Sequence, residues 1–293
     1  VPSVRGKEIS RPVGELLAEA EDLAGQGVTE VTLLGQNVNS YGRDITKRGP
    51  LFGQLLRDIG AVEGIERVRF TSPHPKDMRP ETFAAMAETP AVCNHLHFPL
   101  QSGSDRVLAA MHRGYTAERY LEKVRLARAT IDDLAVTTDI IVGFPGETDD
   151  DFERTLEVAA EVGYDSCYPF IFSPRAGTDA ATMTDRFVPE DVIADRFERL
   201  RVVLERSALA RHEGRVGRVE SVLVEGPSKR DDTRWSGRTT QNKLIHFERI
   251  DGVATGSYVD VRVTHGARHH LVGDVTAVTA APKHKTRIPV AAL

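Results

Sequence analysis

Cysteine is nearly absent: Cys93 and Cys167 are the only two in 293 residues. So few thiols, so far apart, build no disulfide framework, and by themselves no zinc or iron–sulfur site. Both fit buried or partly buried thiols. Long apolar runs are also missing. No stretch approaches the ~18 residues of a membrane span, so no membrane partner is expected. No signal-peptide pattern opens the chain, and cytoplasm is the expected compartment. There is no low-complexity segment, and no G-x-G-x-x-G dinucleotide fingerprint.

What is present is ordinary in bulk and uneven in charge. The length suits more than one domain. Apolar residues at 40% and charged residues at 28% place the chain among globular proteins. The net charge is −5. Residues 214–293 hold 13 Lys and Arg against 8 Asp and Glu, a net +5, so residues 1–213 carry −10. A basic C-terminal module on an acidic body suits contact with nucleic acid; scattered charge on a solvated surface is the other reading.

Up to about Phe172, apolar strand-like runs alternate with helix-like periods. Strands are predicted at Val31–Leu34, Val68–Thr71, His95–Leu100, Leu134–Val142 and Ser166–Phe172, with helices between them. Repeated βα units imply an α/β fold with a parallel sheet and helices outside it. Functional groups in such folds sit at the C-terminal strand ends. A long polar helix is predicted from Val188 to about Arg211 as a connector. From Arg215 the pattern changes to five short strands over roughly 60 residues, which suggests a small OB-like barrel. The expected domains are 1–213, 214–278 and a flexible tail at 279–293.

Several strand ends carry candidate chemistry. Gln36, Asn37 and Asn39 put three amides on one loop, fit to read a base edge or hold an amino-acid moiety; a turn-forming Asn cluster is equally consistent. Ser72-Pro73-His74-Pro75 is stiffened by its prolines, with His74 a base, a ligand or a structural histidine. Gln101 and Ser102 precede a helix start that suits a carboxylate or phosphate, or merely a cap. Gly143 and Glu147 bracket a strand-to-helix turn where backbone can approach a ligand. Arg175 at the last strand end fits a carboxylate partner or plain solvent. In the small domain, Trp235, Arg238 and Lys243 combine aromatic and basic groups as RNA contacts do; an ordinary hairpin with one buried Trp is the alternative. His265, His269 and His270 lack a carboxylate or thiol to complete a metal set, and no metal site is assigned.

Taken in order, Leu34-Gly35-Gln36-Asn37-Val38-Asn39-Ser40-Tyr41-Gly42, Phe98-Pro99-Leu100-Gln101-Ser102-Gly103-Ser104, Arg113-Gly114-Tyr115-Thr116, Gly143-Phe144-Pro145-Gly146-Glu147-Thr148 and Ser173-Pro174-Arg175-Ala176-Gly177-Thr178 resemble the MiaB-type tRNA methylthiotransferases. So does the opening Pro2, Arg5-Gly6 and Arg11-Pro12. Residues 215–276 are similar to that family's TRAM domain, an RNA-binding barrel. The resemblance implies a partial TIM-like radical-SAM barrel. It also implies S-adenosylmethionine and 4Fe-4S clusters as cofactors, a tRNA anticodon stem-loop as partner, and an electron donor such as flavodoxin or ferredoxin. The implied reaction adds a methylthio group to carbon 2 of isopentenyl adenosine beside the anticodon. The Gly35–Asn39 loop favours this substrate over threonylcarbamoyl adenosine or a ribosomal protein. On the matching positions, Gln36, Ser72, Gln101, Ser102, Gly143, Glu147 and Arg175 would line the cofactor face. Asn37 and Asn39 would face the adenosine, and Trp235, Arg238 and Lys243 the RNA.

The sequence departs from that family where its C-x3-C-x2-C motif would stand. The chain begins just downstream of it, and neither cysteine matches a cluster ligand. The expectation is a fragment or truncated product without radical chemistry of its own, and no catalytic residue is assigned. Two other classes stay open: an RNA-binding remnant, and a conventional acid/base barrel enzyme. The last needs a paired carboxylate or Lys base, and Asp139 and Glu147 show no partner in the sequence.

Overall fold

A computed structural model describes residues 9–46, 49 and 51–283. The opening motif at Pro2, Arg5 and Gly6 lies outside them, as do residues 284–293 of the expected tail. Strands β1 (Glu30–Leu33), β2 (Arg67–Phe70), β3 (His95–His97), β4 (Ala135–Val142) and β5 (Ser166–Ile171) follow in chain order. All their pairings are parallel, β1 with β2 and β3 with β4 with β5. An isolated parallel bridge from Val68 to Val92, three residues before β3, sets the two sheets edge to edge as an open array.

Helices α1 (Val13–Gly25), α2 (Phe52–Gly60), α3 (Pro80–Glu88), α4 (Asp105–Ala110), α5 (Ala117–Thr130) and α6 (Asp149–Val162) cover its outer side. Their boundaries follow local chemistry. Pro80 starts α3 where its missing N–H costs nothing. Thr148 and Asp151 form a capping box on α6, whose first turn holds three aspartates, and Gly163 ends it at φ 57°. Phe52, Leu56, Phe83 and Phe152 pack with Val68, Leu96, Phe98, Val136 and Ile140 in one core. Each fully buried side chain of this size contributes ~1.5–3 kcal/mol. β3 stops at His97, short of the predicted Leu100. Pro99 has no N–H, Leu100 N–H turns to Thr138 Oγ1 at 2.8 Å, and Gln101 adopts φ 68°.

The connector is α7 (Glu190–Glu213). It is polar overall but buries Arg196, Leu200, Leu204, Ala208 and His212, one residue per turn on a single stripe. Strands β6 (Val219–Pro227), β7 (Arg234–Thr239), β8 (Leu244–Glu248), β9 (Tyr258–Gly266) and β10 (Leu271–Ala280) then close into a barrel in the order β10-β8-β7-β6-β9. Val222, Ile245, Val259 and Leu271 fill it without exposure. Register shifts between β9 and β10 bend the ribbon enough to close. β10 runs to Ala280, so the boundary expected at 279 falls inside a strand.

The small barrel sits against the N-terminal ends of the parallel strands. Arg67 donates to the carbonyls of Arg238 and Ser221 at 2.8 and 2.9 Å, and Arg69 to those of Thr239 and Thr240 at 2.9 and 3.2 Å. Gln241 reaches Asp133 at 2.8 Å, and Arg215 pairs with Asp133 at 2.5 Å. Lys243 pairs with Asp165 at 2.6 Å, both nearly solvent-free.

Candidate functional site

The loops leaving the C-terminal strand ends form one rim, joined neighbour to neighbour. After β1, Val38 N–H donates to Ser72 O, and Asn37 Nδ2 to Asp77 Oδ2 at 2.6 Å. Asn39 is buried between the first two loops; it donates to His74 O at 3.0 Å and accepts from His74 N–H at 2.7 Å. His74 lies 5.7 Å from the ring of Tyr115, whose hydroxyl donates to the Pro99 and Leu100 carbonyls. Gln101 N–H donates to Asp139 O, and Ile141 N–H returns to Gln101 O. Phe144 and Phe172 pack edge to face at 5.5 Å between the fourth and fifth loops. Thus the loops named in the sequence meet at one end.

Within that rim the candidate residues differ. Gln36, Ser72 and Arg175 are exposed. Asn37 Oδ1 is buried without a partner, an acceptor that a ligand ammonium or N–H would satisfy. Ser72 and Gln101 hold φ of 59° and 68°, backbone that non-glycine residues rarely adopt. Such outliers gather at binding sites. Ser102 is fully buried against Thr155, so it supports the loop and does not face a ligand. Gly143 is confined by φ 77° and by Ile193, which a Cβ would meet at 2.8 Å.

Further expectations need correction. Glu147 does not face the rim: its carboxylate accepts from Arg196 at 2.8 Å and from Gly143 N–H at 3.1 Å. Burial pushes its carboxyl up, against the opposing pull of Arg196. It holds α7 to the body. Lys243 does not face RNA: its ammonium is enclosed with Asp165 between the two domains, because a buried cation needs a counter-charge. Burial pushes that ammonium down. Asn39, bonded on both sides to His74, braces the rim and leaves no free amide for an adenosine. Trp235 is half-buried with Arg249 over its ring at 4.8 Å. Arg238 is bound through Nη1 to Asn242 O, with a third of its side chain exposed.

One group was missed. Asp139, without a partner in the sequence, lies 3.3 Å from His97 Nε2. His97 in turn touches Thr137, and Thr137 touches His95. Burial, chiefly, pushes His95 down to about 3, so it is neutral. Period-two alternation on β3 and β4, with parallel register, would have placed these side chains together. Burial raises both thiols, and no group of three or more His, Cys, Asp or Glu able to hold a metal occurs among the described residues.

A family model of the radical SAM superfamily matches residues 1–159, more than half the chain. The chain belongs to the radical SAM superfamily. A TRAM domain model matches residues 213–276, the closed barrel of this radical SAM chain. It is 49% identical over 292 residues to a tRNA-2-methylthio-N(6)-dimethylallyladenosine synthase of Mycobacterium marinum, covering 94% of this chain and 55% of that protein. A synthase of the same name from Acidothermus cellulolyticus is 51% identical over 277 residues, with the same coverage. The chain therefore spans about half the length of the curated relatives it matches. Among solved structures, coproporphyrinogen III oxidase of Escherichia coli, a radical SAM enzyme, aligns with TM-score 0.49 at 14% identity, covering 87% of this chain and 62% of that one. The resemblance drawn from the motifs is borne out by the curated relatives.

Proposed function

We propose that this chain is the cofactor- and RNA-binding part of a tRNA methylthiotransferase acting on carbon 2 of N6-dimethylallyladenosine beside the anticodon. The observation that carries it is the pairing of about 50% identity to such synthases with a rim that gathers the same motifs at one end of the strands. The open parallel array is part of a TIM-like barrel. S-adenosylmethionine fits the rim: the unpartnered Asn37 Oδ1 would accept from its ammonium, with Gln36, Ser72, Gly143 and Arg175 around it. Bound there, it supplies the adenosyl and methyl groups. The iron–sulfur clusters do not fit the residues described, which offer no ligand set. No helix among the described residues is long and apolar enough to cross a membrane.

The rim's own contribution is to orient and exclude water. Asn39 and His74 fix two loops, and Tyr115 ties them to the third, so a ligand meets preformed groups. The partner is a tRNA anticodon stem-loop, approached by the basic small barrel through Trp235, Arg249 and Arg238. Binding of such a stem-loop by the purified chain, followed against salt, tests the reading. Affinity should fall steeply with salt, and Arg238→Ala should weaken binding and flatten the slope by about one. Binding that is absent, or independent of salt, contradicts it.

A further inference from the structure

The inward face of β3, β4 and β5 carries a row of side chains in hydrogen-bond contact. Oδ2 of Asp139 lies 3.3 Å from Nε2 of His97. Nδ1 of the same ring lies 3.1 Å from the Thr137 hydroxyl. That hydroxyl also meets Nε2 of His95 at 2.9 Å. This row holds Asp139 in place from behind. Its Oδ2 is engaged by His97, and no described residue hydrogen-bonds its Oδ1.

Two uncovered aromatic rings stand beside it. Tyr168 is 58% exposed and Phe170 51%. Tyr168 is the register partner of Asp139, and its ring centroid lies 6.3 Å from that of His97. Residues two apart on a strand share a face, so both rings line the same inward surface. An aromatic platform accepts the π-face of any base. A carboxylate oxygen held at its edge favours a base with an N–H at that place over one without it. Adenine offers one from its exocyclic nitrogen. Asp139 lies four residues before Gly143, about 13 Å down the strand, so the place is reached through the rim.

We infer that Asp139, His97 and Tyr168 form a cradle for an adenine base, with Tyr168 beneath the ring and Asp139 accepting from the exocyclic nitrogen. For the source of that base the cradle rests on the tRNA reading. S-adenosylmethionine carries the same ring, and the experiment separates the two.

The 293-residue chain is titrated with adenosine, purine riboside and S-adenosylmethionine, and with anticodon stem-loops carrying adenosine or purine riboside beside the anticodon. Adenosine should bind about tenfold tighter than purine riboside, and Asp139→Ala should erase that difference. Tyr168→Ala should weaken both nucleosides about tenfold, while Tyr168→Phe retains them and serves as the folded control. The adenosine stem-loop should be preferred over the purine riboside one, and Asp139→Ala should remove the preference. S-adenosylmethionine binding should not change in Tyr168→Ala. Equal affinity for the two nucleosides in wild type, or preferences that survive both alanine variants, overturn the cradle. If the stem-loops still bind in that case, the tRNA reading stands without it.

Discussion

The two ends of the same parallel strands are polar for different reasons. At the N-terminal end, Arg67, Arg69, Lys243 and Gln241 are buried, and each donates to a defined protein partner, while Gln241 Oε1 stays unanswered. At the C-terminal end, Gln36, Ser72 and Arg175 are open, and Asn37 keeps an unpartnered acceptor. Donors that meet acceptors across a seam hold domains together; polar groups open at a rim are free to meet a ligand. Residue type alone does not separate the two, because Lys243 and Arg175 both look like ligand-binding cations in the sequence.

The sharpest way to break this comparison is Lys243→Ala. It leaves Asp165 buried and uncompensated and should cost about 3–5 kcal/mol in urea unfolding. The double variant Lys243→Met with Asp165→Leu should recover most of it. A loss below about 1 kcal/mol would mean that the ion pair is solvated and the docking loose. Arg196→Ala should cost a comparable about 3 kcal/mol, since Glu147 would then be buried alone.

A smaller effect is expected from pH. His95 and His212 are both pushed down by burial, to about 3 and about 4, from an ordinary 6.5. The unfolded chain therefore binds these protons before the folded one does. Stability should be full above pH 6.5 and fall as pH drops through 6.5 toward 4. Thermal melts from pH 8 to 4.5 read this directly, and His212→Gln should flatten the slope. A melting temperature that rises on acidification over that range would contradict the burial of these rings. Smallest of all, Gln36→Ala should change stability by less than about 0.5 kcal/mol, because the side chain is exposed. A larger loss would move Gln36 from the ligand side to the structural side.

Much of this architecture was legible in residue order. The βα alternation, the strands predicted at Leu134–Val142 and Ser166–Phe172 and the long connector helix stand within a residue or two of where periodicity put them. The rim was legible too, because strand ends in such a sheet share a side. What escaped was pairing across distance. Glu147 and Arg196 lie 49 residues apart, and Lys243 and Asp165 lie 78 apart. Local pattern carries no trace of which cation meets which carboxylate. His97 and Asp139 escaped for a subtler reason: alternation and register together would place them side by side, but nothing local marks His97 as more than a strand residue.

Hydrogen exchange on the chain, with and without an adenosine-containing anticodon stem-loop, compares the two ends most directly. Protection should rise at residues 35–40, 72–77 and 139–147, while the amides of β2 beside the domain interface, already slow, stay unchanged. Protection gained at that interface and none at the rim would contradict the assignment of the two ends.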